Sequence, residues 1–364
     1  MSKIQTAVRI NGQNYTSDEL ILLIAERLSL SQQHEWEREF FLFLQDWFSP
    51  SDFIEAQTSG STGMPQIIQL PKTAMQQSAC RTIEFFGLQA GNRVLLSLPC
   101  RFIAGKMMVV RAIIGQMDLI TVDPSTDFEI LRTETFDFGA MVPNQVFKLL
   151  ESPLGRGEIE NIRNLLIGGS SIPVNLGMQI GQLANRVVST YGMTETASHI
   201  AIRELSGEKR SDIYHCLPGI FVTSGENDCL QIHIPECTQS LQTKDIAEIL
   251  SPASFRILGR VDDAIISGGI KYWPENIEKT LQSVIHRRFV ISSLPDEKLG
   301  EKLVLVIEGE AADVELISQK SKELLPSFGR PKAIYFLDKF PETPNGKLKR
   351  NEIKGAINRL FLHD

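Results

Sequence analysis

Val94-Leu95-Leu96-Ser97-Leu98-Pro99 is the stretch that decides the fold. An almost unbroken apolar run of five residues, stopped by proline, reads as a short strand buried on both faces. Four more such runs follow. Leu119-Ile120-Thr121-Val122 stops at Asp123-Pro124, and Ala140-Met141-Val142 stops at Pro143. Leu165-Leu166-Ile167 runs into Gly168-Gly169-Ser170-Ser171, and Val187-Val188-Ser189-Thr190 runs into Tyr191-Gly192-Met193-Thr194-Glu195. Met107 to Ile114 carries a helical pattern between the first two. Buried strands alternating with helices between residues 73 and 200 predict an α/β lobe with a mainly parallel, doubly wound sheet. Ligands of such sheets gather at the strand C-terminal ends, where the two polar turns at 168–171 and 191–195 stand.

Outward from that lobe the pattern changes. Residues 16–48 read as helical: Thr16-Ser17-Asp18-Glu19 offers capping groups, and Leu20, Ile21, Ile24, Ala25 and Leu28 recur at helical spacing. Trp36, Phe40, Phe41, Leu44 and Trp47 form a second apolar stripe, read as core. Residues 215–258 hold short alternating segments such as Leu230-Gln231-Ile232-His233-Ile234 and predict a small β-rich subdomain. From Asp263 the pattern is α+β, with a helix at 275–284 and strands near 288–292, 303–307 and 333–337. The expected organisation is a large N-terminal domain, 1–261, and a small mobile C-terminal α+β domain, 262–364. No internal repeat or low-complexity tract interrupts it.

The chain has 364 residues, of which 42% are hydrophobic and 22% charged, an ordinary globular composition. A net charge of −7 argues against a general nucleic-acid or anionic-membrane binder. The five cysteines show no C-x-x-C, so neither a disulfide framework nor a zinc site is expected, and a reducing cytoplasm fits. The N-terminus carries no apolar signal region, and no apolar run nears the roughly 20 residues needed to span a bilayer.

Residues 58–66 read Thr-Ser-Gly-Ser-Thr-Gly-Met-Pro-Gln. Two glycines admit an anion close to backbone N–H groups, and four hydroxyls add donors around it. Alone, such a cluster is an ordinary solvated loop, and it lacks the Gly-Lys-Ser/Thr ending of a Walker A loop. Three further motifs follow in order: Tyr191-Gly192-Met193-Thr194-Glu195; Gly259-Arg260-Val261-Asp262-Asp263 with Ser267-Gly268-Gly269 and Pro274-Glu275-Asn276-Ile277-Glu278; and Pro344-Asn345-Gly346-Lys347-Leu348-Lys349-Arg350. Together, over roughly residues 55–352, they resemble the acyl-adenylate-forming superfamily of acyl-CoA synthetases, adenylation domains and luciferases. Within it the overall likeness is to the o-succinylbenzoate–CoA ligases of menaquinone synthesis, in a shortened form: only 57 residues precede the phosphate loop.

The resemblance implies an AMP-forming ligase that uses ATP, Mg2+ and coenzyme A on a small carboxylic acid. Thr58, Ser59, Gly60, Ser61, Thr62 and Gly63 would grip the leaving pyrophosphate. Thr194 would bind phosphate and Glu195 would ligate magnesium, a hard cation that keeps several waters. Tyr191 and Gly192 would flank adenine, bordered by Gly168, Gly169 and Ser170. Asp245 and Arg260 would hold the ribose, and Asp262 would be the hinge. Gly268 and Gly269 would line the pantetheine tunnel. Lys347 would stabilise charge on the pentavalent transition state. Departures are Gln66 where the superfamily commonly has lysine, and Lys244 where it has glycine beside the aspartate.

For the acid, Leu98-Pro99-Cys100-Arg101-Phe102-Ile103-Ala104-Gly105-Lys106 resembles the acyl-pocket motif, with Phe102 at the gate. Arg101 and Lys106 place two cations near it, which would suit a dicarboxylate; the alternative is that both pair with local acids. His199 is either a substrate contact or a structural histidine. Other functions that fit the residues are a ligase for another aryl or acyl acid, a stand-alone enzyme loading a carrier protein, and a lapsed nucleotide-binding module. Oligomeric state is not legible.

Overall fold

A computed structural model describes residues 7–57, 66–125, 128–237, 239–342 and 348–361. The chain divides into two compact units, Met1–Ser171 with Met178–Ile220, and Ile172–Gly177 with Phe221–Asp364.

In the first unit, β1 (Val8–Ile10) and β2 (Gln13–Tyr15) form a hairpin. Helix α1 (Ser17–Ser29) starts at a capping box in which Thr16 and Glu19 satisfy each other's backbone N–H groups. The helical pattern expected over 16–48 is interrupted, and α2 occupies Glu35–Phe48. The break has a local cause: Ser29 turns its hydroxyl to the carbonyl of Glu26 at 2.7 Å, and Ser31-Gln32-Gln33 supplies no apolar residue to continue the stripe. Strands β3 (Phe53–Gln57) and β4 (Ile67–Pro71) pair antiparallel. Then come α3 (Lys72–Phe86), β5 (Arg93–Leu96), α4 (Ile103–Ile114), β6 (Asp118–Thr121), β7 (Phe136–Met141), α5 (Pro143–Glu151), α6 (Gly155–Glu160), β8 (Ile162–Ile167), α7 (Val174–Ile180, its first four residues assigned to the second unit), β9 (Arg186–Gly192), β10 (His199–Glu204) and β11 (Tyr214–Cys216).

The sheet order is β11-β10-β9-β8-β7-β5-β6-β1-β2. From β1 to β9 neighbours run parallel; β2, β10 and β11 run antiparallel. Five apolar runs read from sequence are thus five adjacent parallel strands. Val94, Leu96, Phe138, Ala140, Leu166 and Val188 pack with Leu20, Phe40, Met75 and Met107 in one core, while their alternates Leu95, Leu165, Ile167 and Val187 are equally buried. Burial on both faces is why these strands read as continuous apolar runs. Each such side chain contributes about 1.5–3 kcal/mol on leaving water.

Winding reverses between β5 and β7, because β6 lies on one side of β5 and β7 on the other. The strand ends at this switch point are stitched together. Ser97 Oγ donates to the carbonyl of Ala140 at 2.9 Å, and Gln145 Nε2 donates to the carbonyls of Ser97 and Pro124 at 2.8 and 3.0 Å.

In the second unit, β12 (Phe221–Ser224), β13 (Cys229–His233), β14 (Leu241–Ser251) and β15 (Ser254–Arg260) make an antiparallel meander, the β-rich subdomain expected from sequence. It is followed by β16 (Ile265–Ser267), β17 (Ile270–Tyr272), α8 (Pro274–Leu281), β18 (Phe289–Asp296), β19 (Gly300–Glu308), α9 (Val314–Leu324), β20 (Ala333–Leu337) and α10 (Arg350–Phe361). These strands form a sheet of order β17-β16-β19-β18, with β20 parallel to β19. Leu303 and Leu305 pack with Leu281 and Ile317, and Val304 and Val306 pack with Ile353 and Ile357, so helices cover both faces. The expected boundary at 261/262 lies between β15 and β16. Among the described residues no helix is long and apolar enough to cross a membrane.

Candidate active site

At the end of β9 the chain doubles back through a single 3-10 turn, Thr194–Thr196, into β10. Gly192 pairs with His199, and a Cβ on it would stand 2.5 Å from both His199 Cα and the Ser198 carbonyl, so only glycine fits. Thr196 ties the turn together: its Oγ1 accepts from the Met193 amide at 3.0 Å and lies 2.9 and 2.6 Å from the Met193 and Ser198 carbonyls. Ala197 is held at φ +61, a costly conformation for a residue with Cβ, by that lattice and by its own burial. The turn presents Thr194 half-buried and the Glu195 carboxylate exposed.

The neighbouring parallel strand β8 ends in Gly168-Gly169-Ser170. The Gly168 amide donates to the Met141 carbonyl at 3.2 Å, and a side chain there would strike Thr190 Oγ1. The fold therefore brings Gly168, Gly169, Ser170, Tyr191, Gly192, Thr194 and Glu195 to one edge of the parallel sheet. Tyr191 meets Tyr214 edge-to-face at 5.8 Å, and Tyr214 is itself set by Ser189 Oγ at 3.2 Å and the Arg203 guanidinium at 5.2 Å.

At the switch point, Leu98 to Gly105 forms the turn from β5 into α4. Gly105 packs so tightly on it that a Cβ would overlap the Pro99 carbonyl oxygen and lie 2.7 Å from that of Leu98. Phe102 is half-buried, with Arg101 over its ring at 5.0 Å. Arg101 pairs with Glu39 at 3.1 Å and Glu35 at 3.6 Å. Lys106 is buried, donates to the Glu55 carbonyl at 3.0 Å and lies over Phe43; burial lowers its pKa. Both cations are thus occupied by local partners.

A third cation, on the same helix as Lys106, meets only neutral partners and histidine among the described residues. Arg111 is 3% exposed and has no carboxylate against it among the described residues. It donates to Ser198 Oγ at 2.5 Å, His199 Nδ1 at 3.3 Å and Met108 Sδ at 3.6 Å, and its Nε has no partner among the described residues. Burial pulls the guanidinium down to about 9, still charged at neutral pH. His199 is also buried, 3.3 Å from Thr82 Oγ1, and burial, then Arg111, hold its pKa well below the ordinary histidine range. Sequence reasoning named His199 and missed Arg111. The available signal was a single charge inside the apolar run Met107-Met108-Val109-Val110-Arg111-Ala112-Ile113-Ile114.

The second unit carries a further set. Asp245 and Arg260 are cross-strand partners on β14 and β15, joined by a 2.8 Å ion pair. Lys244 pairs with Asp262 at 3.0 Å, so the lysine that replaces the superfamily's glycine touches the expected hinge. Gly268 and Gly269, at φ +59 and +79, form the two-residue loop of the β16–β17 hairpin, a turn that requires positive φ at both positions. Arg350 grips Glu278 through two 2.7 Å hydrogen bonds beside Asp263 and Glu275. Burial raises Glu275 to about 7. The phosphate-loop residues 58–63 and Lys347 lie outside the described residues.

Among the described residues no three His, Cys, Asp or Glu side chains are grouped as a metal cage. A single exposed carboxylate, Glu195, beside the Thr194 hydroxyl suits a magnesium ion that keeps most of its ligands as water and phosphate oxygens.

The sequence profile of AMP-binding enzymes matches residues 46–221. An acyl-CoA synthetase (AMP-forming)/AMP-acid ligase II-like protein from Dyadobacter fermentans is 32% identical, with 92% of this chain and 98% of that chain covered and a TM-score of 0.61. The 2-succinylbenzoate–CoA ligase of Lactococcus lactis is 24% identical over 82% of this chain and 70% of its own length. The o-succinylbenzoate coenzyme A synthetase of Bacillus subtilis, solved with ATP and magnesium ion, is 18% identical, with 97% of each chain covered and a TM-score of 0.74; at that identity it shows a shared fold.

Proposed function

The chain belongs to the AMP-binding, acyl-adenylate-forming enzyme family and is an enzyme of its AMP-forming acyl-CoA ligase branch; from that premise we propose that its acid carries a second carboxylate, with o-succinylbenzoate as the substrate. The observation that carries this is Arg111. A guanidinium buried with no counter-ion among the described residues costs several kcal/mol, and a substrate carboxylate would offset that cost. It stands on the helix that follows the acyl-pocket motif, joined to the strand that follows Glu195. The likeness to 2-succinylbenzoate–CoA ligases supports the same acid.

The chemistry proceeds in two steps. A carboxylate oxygen attacks the α-phosphorus of ATP, the bond to the β-phosphate oxygen breaks, and pyrophosphate leaves. The thiolate of coenzyme A then attacks the acyl carbon and AMP leaves. In the first step residues 58–63 hold the departing phosphates, Glu195 ligates Mg2+, Tyr191 stacks on adenine beside Gly168-Gly169-Ser170, and Asp245 with Arg260 holds the ribose. Lys347 neutralises charge between carboxylate and α-phosphate. In the second step residues 262–364 turn about Asp262 relative to 1–261, and Gly268-Gly269 admits the pantetheine arm.

The test compares o-succinylbenzoate with its analogue lacking the ring carboxylate, by ATP–pyrophosphate exchange and by thioester formation. A charge-assisted hydrogen bond is worth roughly 1.5–3 kcal/mol, so the dicarboxylate should be preferred about ten- to a hundredfold in kcat/KM. Arg111→Met should remove most of that preference. Equal activation of the two acids by the unmodified protein would end the dicarboxylate assignment and leave family membership untouched.

A further inference from the structure

We infer that His199 and Thr82 are positioning residues for Arg111, linked to it by a hydrogen-bond chain of fixed direction that sets selectivity for a second anionic group on the acid. This rests on the role proposed above for Arg111.

The direction follows from donor inventory. A guanidinium only donates, so His199 Nδ1, 3.3 Å from Arg111 Nη2, must accept. Ser198 Oγ, also 3.3 Å from Nδ1, receives an N–H from Arg111 and can pass its own proton to that nitrogen. The imidazole is therefore neutral with its proton on Nε2. That N–H points to Thr82 Oγ1 at 3.3 Å, and Thr82 in turn gives its proton to the carbonyl of Ser78, 3.1 Å away and one turn back on α3. Each link admits one polarity. Protonating Nδ1 would set N–H against N–H and cation against cation in a site that excludes water. The chain ties α3 to α4 through the first residue of β10.

The outcome is a guanidinium whose partners are the neutral Ser198, His199 and Met108, while its Nε has none among the described residues. Arg101 and Lys106 have no equivalent arrangement, since each already meets a carboxylate or carbonyl. A hydrocarbon in place of His199 would remove the Nδ1 acceptor and leave Arg111 held by Ser198 Oγ and Met108 Sδ, and Thr82→Val would leave Nε2–H without an acceptor.

Two measurements decide it. On the unmodified protein, long-range 1H–15N spectra should show His199 as the Nε2–H tautomer at pH 7; an Nδ1–H tautomer or an imidazolium would overturn the chain. In kinetics, the o-succinylbenzoate preference should fall roughly tenfold in His199→Leu and in Thr82→Val, chiefly through KM for the dicarboxylate. His199→Gln should restore it, because the amide oxygen can accept from Arg111 while its N–H reaches toward Thr82. If Arg111→Met abolishes the preference while His199→Leu and Thr82→Val keep it, His199 is ordinary core and the inference fails. If Arg111→Met also keeps it, the parent reading fails as well.

Discussion

At the scale of single residues, charge placement separates what the sequence showed from what it hid. Arg101 and Lys106 stand beside a recognisable motif and invite a substrate role. Folding brings Glu35 and Glu39 to the first and the Glu55 carbonyl to the second, contacts between positions far apart in the chain. Arg111 went unread within the helical pattern of Met107 to Ile114, and the tertiary structure shows it buried with no carboxylate against it among the described residues. His199 yields a stability prediction with a definite sign. Its folded pKa is depressed below an unfolded value of about 6.5, so its contribution is complete above that pH. As pH falls below about 6.5 the unfolded state takes up the proton first, and stability is lost. Urea denaturation at pH 7.5 and 5.5 should show a smaller acid loss for His199→Gln than for the parent. An equal loss in both would mean that His199 does not titrate on unfolding.

At the scale of elements, strands buried on both faces were legible because their runs are apolar but for an occasional serine or threonine and no charge interrupts them. β1 and β2, three residues each, carry too little pattern to be read, and β10 was hidden behind the motif that precedes it. The helix expected over 16–48 broke where serine hydroxyls compete for backbone. Glycines in the motifs matter to elements as much as to ligands. Gly105 lets the first turn of α4 lie directly on the Leu98-Pro99 carbonyls, which fixes how β5 hands the chain to the helix bearing Arg111. Gly105→Ala cannot be absorbed by a flexible side chain, because the atoms it meets are backbone. Overpacking of this kind costs about 1–3 kcal/mol. Chemical denaturation should show that loss, and a change within about 0.5 kcal/mol would mean that the turn relaxes freely.

At the scale of the whole molecule, the order of motifs along the chain carried the family, while packing shows how the residues within each unit are held. The meander β12–β15, the hinge segment and the glycine hairpin follow one another in the second unit, and Lys244 links the first to Asp262. On the proposed two-step mechanism the C-terminal residues would be used twice, once through Lys347 and once through Gly268-Gly269. The two uses separate in variants. Lys347→Ala should cut pyrophosphate exchange about 10²–10³-fold, the usual loss for an electrostatic group acting on the transition state. It should still convert a supplied acyl-adenylate and coenzyme A to thioester, since on the proposed mechanism residues 262–364 have turned and Lys347 no longer faces the departing AMP. Gly269→Leu should do the reverse. A Cβ there meets no atom within 4 Å, so the protein should fold at a modest backbone cost for φ +79 while the added bulk blocks the thiol arm. If each variant slows both half-reactions alike, the chain does not divide its labour between two faces of the C-terminal domain, and rotation about Asp262 loses its purpose.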